Sequence, residues 1–192
     1  MKEKNVVDKG SLLDRMKRAL ILDPDLYKEV ISDTTALNSQ ALTAVAIASL
    51  ANGFGVGFAA VIIEGGLGFF GGLLVGLLTA LGGWLIWYVC VQWFGDTIFK
   101  EPDSKAGYGG IIHRGLIITL GFSNSPRVLT FFYFIPYIGW IIALIASVWT
   151  LIAGIQAVSA TLPLTHNRAV ATCVAGWIPY MLLVFLFAGL TV

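Results

Sequence analysis

The chain has 192 residues, of which 57% are hydrophobic and only 12% charged, with a formal net charge of +1 and a mean hydropathy of +0.84. That balance excludes a soluble globular domain and identifies an integral membrane protein. The length suits one all-α bundle of about five transmembrane helices, each needing roughly 20 apolar residues to cross a hydrocarbon core about 30 Å thick.

Residues 1–38 read as a short amphipathic cytosolic arm ahead of a membrane bundle over 39–192. The stretch "SLLDRMKRALILDPDLYKEVISD" carries 9 charges in 23 residues, a density that belongs in water or at an interface. Ser11 with Asp14 predicts a capping-box-like helix start. Leu12, Leu13, Met16, Ala19 and Leu20 follow at helical spacing, with Arg15, Lys17 and Arg18 assigned to the opposite side. Asp23 before Pro24 repeats the start signal and predicts a second short helix carrying Leu26, Tyr27, Val30 and Ile31. The first apolar run begins only near Ala41 and is too long and glycine-rich for a cleavable signal, so the N-terminus is expected to be retained.

From Ala41 to Phe94 the chain holds 54 residues and one formal charge, Glu64, followed by Gly65 and Gly66. A helical hairpin turning at "EGG" is the reading, with spans over about 41–63 and 67–94. Small residues recur four apart, at Ser49, Gly53 and Gly57 on the first span and at Gly68, Gly72, Gly76 and Ala80 on the second. In lipid such stripes let helix backbones approach closely, so the two are expected to face each other; a glycine-lined conduit is the alternative. Trp84, Trp87, Tyr88 and Trp93 suggest an aromatic belt at the membrane interface. Cys90 and Cys173, both in apolar runs, read as small hydrophobes.

Residues 95–115 form a polar, glycine-loosened connection. Three further spans are expected over about 116–136, 138–162 and 169–190. In this arrangement eleven of the twelve basic residues lie on one side, the cytosolic one, and Glu64 on the other. The positive-inside rule then sets the N-terminus in the cytosol and the C-terminus opposite. A re-entrant third span would instead invert the last two and move Arg168 outside.

The twelfth basic residue is Arg127, within "GFSNSPRVLTFFYFIPYIG". In a straight helix from Arg114 it would lie roughly 20 Å deep, where an arginine costs at least about 2.5 to 3.5 kcal/mol. The reading that avoids this cost has Ser123 or Ser125 capping a new helix at Pro126, with Arg127 snorkelling to the interface from its first turn. The other reading has the charge facing a polar cavity.

The arm "LLDRMKRALILDPDLYKEV", the region "GFSNSPRVLTFFYFIPYIG" and the closing "WTLIAGIQAVSATLPLTHNRAV" together resemble the Yip1 family of small polytopic membrane proteins, over nearly the whole chain. The resemblance implies a five-helix bundle with a cytosolic N-terminus. The short arm looks like that of prokaryotic members, which implies the cytoplasmic (inner) membrane of a prokaryote.

No paired intramembrane aspartates, serine–base pair or metal-ligand cluster points to catalysis, and His113 and His166 lack ligand spacing and read as loop residues. The expectation is a protein that is not an enzyme and carries no cofactor beyond bound lipid. The arm's basic residues alternate with seven acids, so no nucleic-acid partner is expected. The leading functional reading is a scaffold or accessory subunit that packs laterally against membrane lipids and other integral membrane proteins, with Phe131, Phe132, Tyr133 and Phe134 as its interface. The alternative is a small transporter or channel with a polar path drawn from Arg127, Asn124, Gln156, Gln92, Thr119, Thr130 and Ser159, and with Glu64 at its far mouth.

Overall fold

The computed structural model describes residues 10–32, 37–64, 68–100 and 114–189, and the side chains of these except for 37, 38, 64 and 183–189. Every regular element among them is helical: α1 (Leu12–Leu20), α2 (Pro24–Ser32), α3 (Leu37–Glu64), α4 (Gly68–Thr97), α5 (Arg114–Ser123), a 3-10 helix (Ser125–Phe134), α6 (Gly139–Thr161) and α7 (His166–Gly189). Stretches within α3, α4 and α6 are long and apolar enough to cross a membrane, over Ser39–Ile63, Gly68–Thr97 and Gly139–Thr161. These mark the chain as membrane-embedded.

The Ser11 Oγ accepts from the Asp14 backbone N–H and caps α1, and Asp23 Oδ1 accepts from the Asp25 N–H at the start of α2. The face assignment of α1 needs correction. Arg15 is buried while Leu13 is two-thirds exposed, at 66%. Arg15 lies inside because partners await it there: its guanidinium donates to Gln40 Oε1 at 2.8 Å and pairs with Glu29 at 3.3 Å. Arg18 pairs with Asp23 at the turn and with Glu29 on α2, tying α1 to α2. Leu22 turns the chain between them with φ of 59°, in the left-handed region.

This hairpin lies against the bundle rather than apart from it. Met16, Ala19, Leu26 and Val30 form one buried cluster with Ala41 and Ala44 of α3 and Ile118 and Phe122 of α5, and Val128 of the 3-10 helix packs on it. Tyr27 enters a second cluster with Leu116, Leu162 and Ala169. The hairpin thereby covers the side of α5 that the membrane helices leave open, and α5 is buried from Leu116 to Ser123 on nearly every face. A helix apolar all round is stable only when enclosed in this way or by lipid.

Contacts at glycines fix how the long helices run. A Cβ on Gly53 would meet Leu73, and one on Gly57 would meet Phe69, so α4 returns antiparallel to α3. On the α4 side, Gly72 faces Val56 and Gly57 while Gly76 faces Gly53, all within about 3 Å of a Cβ position. Ser49 is also buried in α3, Gly68 is buried at the first turn of α4, and Ala80 is buried one turn beyond Gly76. Glu64 is the last residue of α3; its side chain and the expected turn at 65–67 lie outside the described residues. Gly121 abuts Ala41 and Gly55 abuts Thr130, so α5 and the 3-10 helix ascend parallel to α3. Gly83, Gly95 and Gly176 place α7 antiparallel to α4, through Tyr180, Thr172 and Val91 respectively. Thr119 and Thr161 share a hydroxyl hydrogen bond of 2.9 Å, and Gly139 abuts Tyr133, so α6 descends beside the α5 segment.

Two further expectations are overturned. Trp84, Trp87 and Tyr88 are not a belt: all three are buried, and only Trp93 of that group faces outward, 56% exposed. Their ring edges find partners inside, with Trp84 Nε1 donating to Leu120 O and Trp87 Nε1 to Cys173 O. The indoles fill space that glycines vacate, as Trp87 does over Gly154. Nor do Ser123 and Ser125 cap a new α-helix. Their hydroxyls donate backward to Leu120 O and Phe122 O, Asn124 makes no side-chain cap bond, and a 3-10 helix begins at Ser125 with Pro126 in its first turn.

Candidate functional site

The break between α5 and the 3-10 helix carries the site. Ser123, Asn124, Ser125, Pro126, Arg127 and Thr130 are all buried. The hydroxyls of Ser123, Ser125 and Thr130 each return to a backbone carbonyl three residues earlier, which settles them locally. Asn124 Oδ1 is buried with no hydrogen-bond partner, as is the Ser49 Oγ of α3.

Arg127 does not reach water in the way the snorkelling reading requires: it is 7% exposed. Its guanidinium carbon sits 4.9 Å from the ring centroid of Tyr180 on α7. A narrow void beside it is lined by Gly83, Trp84, Trp87, Ser147, Thr150, Trp177 and Tyr180. Gly83 stands near the middle of α4 and Thr150 at the middle of α6, so the charge lies level with the midpoints of two helices long enough to span. Cation and ring are held close because Gly83 lets Tyr180 in; a Cβ there would stand 2.5 Å from the tyrosine ring.

Magnitudes show what this arrangement leaves over. An arginine at such a level costs at least about 2.5 to 3.5 kcal/mol, and a desolvated cation–π contact returns about 2 kcal/mol. No carboxylate among the described residues lies within 4.0 Å of Arg127. The void is narrow, and the surface it exposes is apolar. Ser147 Oγ and Thr150 Oγ1 are buried without hydrogen-bond partners. The site is therefore a guanidinium held against a tyrosine ring beside a narrow apolar void, with two buried hydroxyls in the residues that line it.

No family profile, characterised protein or solved structure matches this chain.

Of the polar residues singled out from sequence, Asn124 and Arg127 come together at the break. Gln156 sits further along α6, its Oε1 buried and without a partner, and does not line the void. Glu64 ends α3 about 13 Å past Gly55 along the helix axis. Among the aromatic candidates, Phe131 and Phe134 are half-buried and pack on Phe58, with ring centroids 6.3 and 5.8 Å from it. Phe132 and Tyr133 face outward, 42% and 40% exposed. The sequence reading missed Gly83, Ser147, Thr150, Trp177 and Tyr180, each in a different helix from Arg127. One signal was available: Ser147 and Thr150 stand three apart, on one face of α6.

Proposed function

We propose that this protein is a non-enzymatic membrane scaffold or accessory subunit of Yip1 type, a five-crossing bundle that packs laterally against other membrane proteins and lipids. The crossings are α3, α4, the α5 to 3-10 segment, α6 and α7. The third is long enough despite its break: ten α-helical and ten 3-10 residues rise about 15 and 20 Å. The alternating directions of these elements support the arrangement. So does the gathering of Lys100, Arg168 and Arg15, Lys17, Arg18 and Lys28 of the arm at one end, where Arg168 donates to the carbonyls of Phe99 and Lys100. That end is the cytosolic one in this reading, in the inner membrane of a prokaryote, with the C-terminus opposite.

The observation that carries lateral packing is the aromatic edge at the far end of the third crossing. Phe132 and Tyr133 face outward there beside Tyr137, 91% exposed, and Trp140. The 3-10 backbone beneath them has poorer hydrogen bonds than an α-helix, and a neighbouring helix would shield it from lipid better than acyl chains do. An apolar groove between Leu22 and the Leu144–Ile152 face of α6 suits a lipid chain. Purification from the native membrane in mild detergent, followed by mass spectrometry, tests the reading. A stoichiometric membrane partner, lost on Phe132→Ala with Tyr133→Ala, is expected. A bundle carrying only lipid would overturn it.

The transporter reading keeps one observation in its favour, the buried Arg127 at a broken helix, since transporters expose ion sites at such breaks. Flux into liposomes that Arg127→Gln abolishes, with insertion intact, would establish it. For a scaffold the same substitution leaves partner binding unchanged.

A further inference from the structure

We propose that the turn of the α1–α2 hairpin is immersed in one lipid leaflet, with Ile21 and Leu22 seated among the acyl chains beside α6. The immersion rests on the membrane-embedded character of α6 alone. That the leaflet is the cytosolic one rests on the orientation proposed above.

Contacts along the long helices set the depth. Leu22 lines one open groove with Leu144, Ile145, Val148, Trp149 and Ile152 of α6. Of these, Ile152 is nearest the Thr161 end of the helix, and it stands about 13 Å inside that end. α6 is about 34 Å long, so a hydrocarbon core about 30 Å thick and centred on it begins only about 2 Å inside Thr161. The turn therefore reaches about 10 Å into hydrocarbon. α3 agrees, since Ala44 and Ile47, which pack with the hairpin, stand about 7 and 12 Å inside the Ser39 end of its apolar run.

The chemistry of the turn fits that depth. Leu144, Ile145, Val148 and Ile152 are exposed on the face that a spanning α6 turns to lipid. Leu22 continues this face across the groove, and Ile21 beside it is 75% exposed. Leu22 also sits against local preference: at φ of 59°, a glycine or asparagine ends a helix with less strain than a leucine. In water such a residue serves that turn better; among acyl chains a leucine does. The charges nearest the turn enter as pairs, Arg18 with Asp23 and Lys28 with Asp25, which offsets part of the cost of leaving water. The exposed Lys17 has a stem long enough to snorkel towards the headgroups.

The test places the full chain in nanodiscs with one nitroxide at a time, on Ile21→Cys, Val148→Cys or Lys100→Cys. Cys90→Ala is the background, and Cys173, fully buried, escapes the label in the folded protein. Collision of the nitroxide with oxygen, which concentrates in hydrocarbon, is compared with collision with a water-soluble nickel chelate. The label at Ile21 is expected to favour oxygen as the one at Val148 does, and the label at Lys100 to favour nickel. Ile21→Asn gives a measure free of labels. Exchange of an exposed residue is near neutral in water, whereas in lipid this one should lower Tm by about 2 to 4 °C. A label at Ile21 that behaves like the one at Lys100, or a Tm that Ile21→Asn leaves unchanged or raises, would overturn the immersion and put the turn in water. Neither readout depends on whether a membrane partner co-purifies.

Discussion

Gly55→Ala is the sharpest perturbation of this fold. At Gly55, α3 passes the 3-10 helix backbone to backbone, and a Cβ there would stand 2.3 Å from Thr130 O and 2.9 Å from Phe131 O. Ordinary contact begins at 3.4 Å, so the two elements must part by 3.4 − 2.3 = 1.1 Å. Both obstructing atoms belong to the main chain, and no side-chain rotation relieves them. Overpacking of this kind costs about 1 to 3 kcal/mol, partly offset by the better helix propensity of alanine, up to about 1 kcal/mol. Gly71 and Gly82 of α4 supply the control, because a Cβ at either meets nothing within 4 Å. Unfolding in mixed micelles by stepwise addition of a denaturing detergent, followed by tryptophan fluorescence, should rank Gly55→Ala well below wild type and Gly71→Ala at or above it. Equal stability of the two variants would refute the close approach of α3 to the broken third segment.

Acid should release the α1–α2 hairpin: hydrogen bonds from Arg18 hold the carboxyls of Asp23 and Glu29 below the usual range. Their stabilising contribution is complete above the unfolded carboxylate pKa, near about 4, and is lost as pH falls through the lower folded values. Hydrogen exchange of α2 between pH 7 and 3 should show protection falling below about pH 4, and Glu29→Gln should remove part of that dependence. Leu26→Ala empties a fully buried position under the hairpin and should cost about 2 to 5 kcal/mol, read as proteolytic cleavage of residues 10–32 under conditions where wild type resists. Trp87→Phe deletes the donor to Cys173 O and the indole that covers Gly154; a loss of about 1 to 2 kcal/mol is expected in the same detergent titration.

Hydropathy alone makes this a membrane protein, because its apolar runs match the thickness of a bilayer and carry almost no charge. Local chemistry also places the starts of α1 and α2, since a cap is an interaction between residues two or three apart. The break at "SNSP" is visible as a proline behind three small polar residues. What that break does is decided elsewhere. The serines bond backward because the preceding carbonyls are the acceptors nearest to them in a dry interior. The new segment winds as a 3-10 helix, and Arg127 points at a ring on α7. Sequence periodicity could not rank the faces of α3, α4 or α6, because a helix apolar all round has no stripe to read.

For the same reason the tryptophans of α4 look like a belt in one dimension and become the walls of the site in three. A solvent as apolar as the core leaves the choice of inward face to shape, to where glycines let another backbone or an aromatic ring approach. The sequence by itself therefore determined the environment of this protein and the residues that could break a helix. Only the tertiary structure decided which helices meet at Gly55 and Gly83, and that one arginine, far from every basic neighbour in the chain, is enclosed against the ring of Tyr180.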